Sequence, residues 1–451
     1  MYEFALILGF AFWVGVCILY LKLPCASIFH PATYYLVFHG LCFAVRPLFQ
    51  YWWDIDKIYE LYLFWPTDNV KLLSLLIANL GFICFMAAVL FVGRQPFRFP
   101  TREQLALQRR PFWGAVTMLL LCAPLIAYSF SYVIGRKLQD PSEIVQAYRA
   151  LGERYTQTEV AGYVFDANMM LGAFACIIAW SCRFRLWSLI PFLVFFGLRM
   201  AVGGGRFSFV MISISLVLFY LYDRHRRWVT PKFIIPAILM LFVFKSIGEN
   251  RRVFIEMIYP TENSLLVQAP DEEKQQGFMY SMDFANLEYL QYLVRTVPDL
   301  TGTYNYFVDA LEIFIAPIPR VLWTGKPNGS PIEFYNLFDY GRPIGMSWSL
   351  PGAGWQGLGI IGVVFWCAMG GAIWGGIYRW YVNSAQNVFH TCYYFLLLPL
   401  SVQWFRDGAL LTLVKFPLFF LLPVALVQAW AISIKWGPYS HGHAARRSVQ
   451  L

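Results

Sequence analysis

Long apolar runs separated by polar segments recur along the whole chain. They fall at approximately 4–22, 33–50, 71–92, 113–134, 160–181, 186–203, 206–222, 233–248, 355–378, 388–405 and 409–434. A bilayer core of about 30 Å needs about 20 mostly apolar residues per helix, so the pattern predicts an all-α polytopic membrane protein with about eleven transmembrane helices. The first run has no basic stretch before it and no small-residue cleavage signal after it. It therefore predicts a retained span rather than a signal peptide.

The polar segments between the runs differ in charge. Segment 94–110 carries Arg94, Arg98, Arg102, Arg109 and Arg110, and the segment after run seven reads Arg224, His225, Arg226, Arg227 and Lys232. Basic loops stay cytoplasmic. These two segments, the pair Arg183 and Arg185, and the tail with Lys435, Arg446 and Arg447 are all separated by even numbers of spans. One side then holds every basic segment, which predicts an amino terminus outside and a carboxyl terminus inside.

The other side receives the longest polar stretch, 249–354, with thirteen acidic residues against seven Lys and Arg. This predicts four regions: membrane helices one to eight (1–248), a structured outer segment with short amphipathic helices (249–354), membrane helices nine to eleven (355–434) and a cytoplasmic tail (435–451). Within the outer segment, Phe307, Leu311 and Phe314 at i, i+4 and i+7 place Asp309 and Glu312 on the opposite face of one helix. Leu287, Leu290 and Val294 form the apolar face of a second. In the shorter outer loop, Asp140, Pro141 and Glu143 have the form of a helix start.

Composition agrees and narrows the classes. At 59% hydrophobic and 14% charged residues over 451 positions, the chain lacks the roughly 25% charge of a water-covered surface, which excludes a soluble globule, a coiled coil and a disordered chain. Most of the nine cysteines lie inside apolar runs without CxxC pairing, and the six histidines are scattered. No metal site, cofactor or disulfide framework follows. The +9 net charge is accounted for by the basic loops, so no nucleic-acid partner is expected.

Charge at span ends is the remaining chemical signal, because an arginine at the bilayer centre costs about 2.5–3.5 kcal/mol. Arg46, Arg199, Arg206, Lys245, Arg251, Arg252, Arg406 and Asp407 sit within or at the ends of runs. Snorkelling to the headgroups explains such residues without function. Arg206 differs because three glycines precede it and a helix follows, a setting suited to an anion, although a triple glycine also serves tight packing. A second cationic element is Pro319-Arg320-Val-Leu-Trp323-Thr-Gly-Lys326-Pro327, where arginine and lysine can meet phosphate oxygens. The following Asn328-Gly-Ser330 reads as a turn and also matches a glycosylation sequon.

Four motifs together carry a resemblance: Gly204-Gly-Arg206-Phe207 opening a span, 319–327 in the outer segment, Ser349-Leu-Pro-Gly-Ala-Gly-Trp355 before a glycine-rich span, and Arg406-Asp407-Gly408. In order and placement the chain resembles the Wzy-type oligosaccharide repeat-unit polymerases, the group of O-antigen and enterobacterial common antigen polymerases. That resemblance implies a GT-C-like membrane glycosyltransferase in the bacterial inner membrane. Its implied substrates are undecaprenyl-pyrophosphate-linked oligosaccharides, joined on the outer face with release of the lipid pyrophosphate, and a chain-length-determining co-polymerase is its implied partner. Carried over by position, Arg206, Arg320, Lys326 and Arg406, with Arg251 nearby, would bind pyrophosphate, and preorganised cations lower the barrier to its departure without a metal. Trp323, Trp348 and Trp355 are sugar-stacking candidates, or interfacial belt residues. For a general base, Asp283, Glu288 and Asp407 stand first among the outer carboxylates, ahead of Asp309, Glu312, Glu333 and Asp339.

Two other readings stay open. A polysaccharide ligase of the same fold would use similar substrates, but His39 and His390 fall toward inner halves of spans. A flippase or transporter would place ionisable residues near span midpoints, for which Asp166 and Lys415 are the candidates.

Overall fold

The computed structural model describes residues 1–101, 103, 110–137, 164, 166–201, 206–230, 284–318, 322–323, 325–326, 330–341, 346–384 and 387–434. Among these residues every regular element is helical. The elements are α1 (Tyr2–Leu21), α2 (Pro31–His39), α3 (Arg46–Trp52), α4 (Lys57–Tyr62), α5 (Asp68–Val92), α6 (Phe112–Lys137), α7 (Met169–Ser181), α8 (Ile190–Ala201) and α9 (Arg206–Asp223). After residue 284 follow α10 (Asn286–Thr296), α11 (Glu312–Ile315), α12 (Ser349–Asn383), α13 (Val388–Leu397), α14 (Leu400–Asp407) and α15 (Thr412–Ser433). A π-helical turn, Gly40–Val45, joins α2 to α3, so predicted run two is one irregular rod. Predicted run 233–248 lies outside the described residues, as does the helix expected after Asp140.

Among the described residues, five helices are long and apolar enough to cross a membrane: Tyr2–Leu21, Asp68–Val92, Phe112–Val133, Ser349–Asn383 and Thr412–Ser433. Their outward faces are apolar. Phe4 and Leu8 on α1, Leu120 and Leu121 on α6 and Ile361 on α12 are all exposed. Helices apolar on their outer faces as well as their packed ones need lipid around them. The chain is a helical membrane protein.

Helix ends carry local signals. Thr67 accepts from the Val70 amide at the start of α5, the His30 ring from the Ala32 amide ahead of Pro31, and Asn387 from the His390 amide at 2.8 Å. Each satisfies a donor that the first helical turn leaves without a partner. Pairing of the rods depends on small residues. Gly371 and Gly375 on α12 face α5 so closely that a Cβ on the first would strike the Phe85 carbonyl and one on the second would lie 3.0 Å from the Val89 carbonyl. Close backbone approach of this kind gives rods in lipid their dispersion contacts.

The helices run between two ends. At one end, described parts of the basic segments 94–110 and 224–232 lie together. His225 bonds the Pro100 carbonyl at 2.7 Å, the Ile28 amide donates to the Arg227 carbonyl, and Arg110 binds both Asp223 and the Trp180 carbonyl. The Arg110 guanidinium also lies 4.7 Å over the Trp180 ring, tying α6, α7 and α9 together. Replacement Arg110→Lys keeps the charge but loses the planar fork. It is expected to destabilise the protein by about 1–3 kcal/mol, read as a lower unfolding temperature of the detergent-solubilised protein.

At the other end, α10 sinks into the bundle. Leu287, Leu290 and Val294 are buried as the periodicity predicts, but so are Glu288 and Gln291 on the remaining face. Both polar residues have partners across the fold: Arg46 for Glu288 and Tyr59 for Gln291 at 2.7 Å. The helix expected over 307–314 takes another form. Phe307 has φ +59°, a 3₁₀ turn (Val308–Leu311) and the single turn of α11 follow, and Leu311 and Phe314 are exposed while Asp309 and Glu312 are half-buried. Asp309 and Glu312 of this segment are turned further toward the protein than Leu311 and Phe314 are.

Candidate functional site

The second end concentrates most of the motif residues. α12 is not one straight helix. Leu358 and Gly359 leave helical geometry, Gly359 at φ +59° and ψ −139°, a conformation open to glycine and strained for other residues. The break folds 349–357 back so that Gly354 meets the backbone of Gly362 and Val363. All nine residues of this half-helix are buried. Its final carbonyls are held by a loop: the Asn305 amide donates to Gln356 at 2.9 Å and the Tyr306 amide to Gly357 at 3.1 Å.

Beside the half-helix lies the Arg406-Asp407-Gly408 turn that ends α14. Gly408 adopts φ +70°, and a Cβ there would collide with the Ser349 carbonyl. The Asn286 amide group bonds the Ser347 and Arg406 carbonyls at 3.1 and 3.2 Å, and the Trp366 indole donates to the Gly408 carbonyl at 3.0 Å. Two motifs about 50 residues apart, 349–355 and 406–408, thus touch each other.

Between them opens a narrow cleft lined by Asn305, Phe307, Asp309, Trp348, Trp366 and Leu410, among others. The cleft as a whole has a volume of about 20 Å³, room for a water molecule or one hydroxyl group. Phe307 stacks on Trp366 with centroids 4.8 Å apart and planes 16° from parallel. Asp309 is the carboxylate of this cleft, and Asn305 Nδ2 donates to its Oδ2 at 2.5 Å. Burial, then the like charges of Glu312 and Glu333, pushes the Asp309 carboxyl up to about 6. Burial also raises Glu312, opposed by Lys415 and Lys326.

The sequence-selected residues are distributed as follows. Asp407 sits at the cleft margin, where Gln403 and Thr412 donate to its Oδ2. Burial raises its carboxyl above the ordinary range, opposed first by Gln403 and then by Arg406. Arg406 is half-buried on the same turn. Lys326 donates to the Ala316 and Ile318 carbonyls at 3.0 and 2.8 Å, closing the turn after α11, and its field reaches Glu312. Glu288 is buried away from the cleft on Arg46, with Nη2 at 2.7 Å and Nε at 2.8 Å from one carboxylate oxygen.

Of the tryptophans, Trp348 lines the cleft, Trp355 is buried and donates to the Val297 carbonyl at 2.8 Å, and Trp323 is exposed. Arg206 opens α9. Asp283, Arg251 and Arg320, like the Arg206 side chain, lie outside the described residues. Asp166 and Lys415 are paired at 2.8 Å, and Lys415 stands in the first turn of α15, at a helix end rather than a midpoint. No group of three metal-ligand residues occurs among the described residues.

By sequence pattern alone Asp309 stands behind Asp283, Glu288 and Asp407. The available signal was the pair Asn305 and Asp309 at i, i+4 within an aromatic run, which is too common to single out. The chain matches no protein-family model, no curated protein and no solved structure.

Proposed function

We propose that this protein is a glycosyltransferase that polymerises undecaprenyl-pyrophosphate-linked oligosaccharide repeat units, transferring the growing chain to the next unit and releasing the lipid pyrophosphate. In this reading the chain spans the bacterial inner membrane about eleven times in a GT-C-like arrangement, with the cleft end outside and the basic end in the cytoplasm. A co-polymerase that sets chain length is a partner only by resemblance.

One observation carries the reading: two of the four segments that resemble the polymerase motifs, 349–355 and 406–408, lie far apart in the chain and meet beside a carboxylate-bearing, aromatic-lined cleft. Sugar polymerisation on a lipid carrier needs this combination. The acceptor hydroxyl requires a base, the sugar rings present apolar faces to aromatic side chains, and the departing pyrophosphate requires cations aimed at its developing charge. Arg406 stands at the cleft margin and Lys326 one short segment away. The transporter reading loses its main support, because Asp166 and Lys415 pair with each other at a helix end.

The test is deletion of the gene in its host, followed by sizing of surface and lipid-linked glycans. The expected result is collapse of a polysaccharide ladder to a single repeat unit, restored by the wild-type gene and not by Arg406→Ala. Repeat units trapped on the inner face would identify a flippase instead. Long polymer left on the lipid carrier would identify a ligase.

A further inference from the structure

The cleft contains a carboxylate placed for proton transfer, and no motif marks it. We infer that Asp309 is the general base that accepts the proton of the acceptor sugar's hydroxyl in this cleft, with Asn305 as its positioning residue. This assignment rests on the glycosyl-transfer reading and adds to it the atom that performs the proton transfer.

The geometry supports each part. Asn305 is nearly buried, at 7% exposure, and every polar group it has is committed. Its backbone amide binds the Gln356 carbonyl, its Oδ1 accepts from the Phe307 amide at 3.0 Å, and its Nδ2 donates to Asp309 Oδ2. The side chain is therefore clamped at both ends, and it holds one carboxylate oxygen of Asp309 in a set direction. The other oxygen, Oδ1, makes no hydrogen bond among the described residues. The same cleft is lined by the rings of Phe307, Trp348 and Trp366, and its space suits one hydroxyl group.

The charged groups that act on Asp309 both raise its affinity for a proton, while the Asn305 donor opposes them. Glu312 lies on its own segment and Glu333 on the 330–341 segment. The neighbouring phenols Tyr335 and, from α10, Tyr289 are neutral. Lys326 and Lys415 act on Glu312, one carboxylate removed. A base is most effective when its proton affinity lies near the working pH, and a half-buried carboxylate with two anionic neighbours meets that condition. Asp407 differs in having two side-chain donors on one oxygen.

The step balances without a metal or redox partner. The acceptor O–H bond breaks, with its proton passing to Asp309 Oδ1. The freed electron pair forms the bond from acceptor oxygen to the anomeric carbon of the donor sugar. The bond between that carbon and the pyrophosphate oxygen breaks, and its electrons leave with the lipid pyrophosphate, which gains one negative charge. Asp309 returns its proton to water.

The experiment uses the purified full-length protein in lipid nanodiscs, with lipid-linked repeat units extracted from the deletion strain as the probe. Single-turnover rates are followed from pH 5 to 8. Wild type is expected to lose rate as pH falls through about 6, where Asp309 takes up a proton. Asp309→Asn is expected to lower the rate by roughly 10²–10⁴-fold and to abolish that limb. Glu333→Gln, which removes one like charge, is expected to move the midpoint to lower pH, and Asn305→Ala, which removes a donor to the ionised form, to higher pH.

Retention of the wild-type rate and acid limb by Asp309→Asn would overturn the assignment while leaving the polymerase reading intact. An unmoved midpoint in folded Glu333→Gln would also overturn it, and this variant serves if Asp309→Asn does not fold. Failure of the wild-type protein to lengthen the units at any pH would overturn the polymerase reading itself.

Discussion

Replacing Arg46 with alanine is expected to destabilise the protein by about 3–5 kcal/mol, because it leaves the Glu288 carboxylate buried without its cation. Both side chains are almost fully enclosed, and both Arg46 donors converge on the same carboxylate oxygen at 2.7 and 2.8 Å. The second Glu288 oxygen is also buried and lacks a hydrogen bond among the described residues, so no such bond offsets the loss. The double variant Arg46→Met with Glu288→Leu is expected to recover most of the difference, since two well-packed apolar side chains need no desolvated charge. Thermal unfolding of the three proteins in one detergent decides the matter. If the double variant is no more stable than Arg46→Ala, the pair is not acting as coupled charges. Failure of Arg46→Ala alone to move the transition would show that water reaches Glu288.

This pair also bears on function. It joins the rod formed by α2 and α3 to α10, residues 242 positions apart, and α10 carries Asn286, which bonds the Ser347 and Arg406 carbonyls at the cleft margin. Loss of the ion pair is therefore expected to reduce activity together with stability.

The second large effect is expected at Gly408. Alanine there must adopt a left-handed backbone, at about 1–2 kcal/mol, and its methyl group must displace the Ser349 carbonyl and lies 2.9 Å from the Ala353 Cβ. Overpacking of this kind costs about 1–3 kcal/mol, so Gly408→Ala is expected to destabilise by about 2–5 kcal/mol. Gly376 on α12 has open space around a built Cβ, and Gly376→Ala is expected to be neutral or to stabilise by up to about 1 kcal/mol. Comparison of the two unfolding temperatures separates the local collision from the general effect of removing a glycine. Equal effects would mean that the Arg406-Asp407-Gly408 turn is free to move away from the half-helix.

Much of the architecture was legible along the chain. Apolar runs marked the long helices, since a backbone in lipid must satisfy its own hydrogen bonds and a run of about 20 residues is what a span requires. The basic segments were expected on one side by parity, and described parts of 94–110 and 224–232 lie together at one end through His225 and Arg110. Leu287, Leu290 and Val294 were expected as one buried face and are buried. These features depend on period, length and charge, all of which are local properties of the sequence.

The site was less legible. Periodicity over 307–314 assumed one regular helix, but Phe307 takes a positive φ and the segment breaks into two short turns. Leu311 and Phe314 then face outward, as suits a bilayer edge, while Phe307 stacks on Trp366 and Asp309 and Glu312 are half-buried. Pattern analysis for water-soluble helices assigns such faces the opposite way, because it takes water rather than lipid as the surroundings. Glu288 ranked as a catalytic candidate by its position in the outer segment, and its partner Arg46 ranked as a snorkelling residue. Only their pairing across 242 positions gives both the same structural role.

By itself, then, the sequence determined the class of the protein, the position of its long helices and the grouping of its basic loops, because membrane insertion is governed by the free energy of successive segments. The tertiary structure alone decided the break at Leu358 and Gly359, the contact of 349–357 with Gly408 and the cleft around Asp309. Those depend on which backbones approach closely and which charges are desolvated together, and such pairings across long stretches of chain leave no periodic trace in the order of residues.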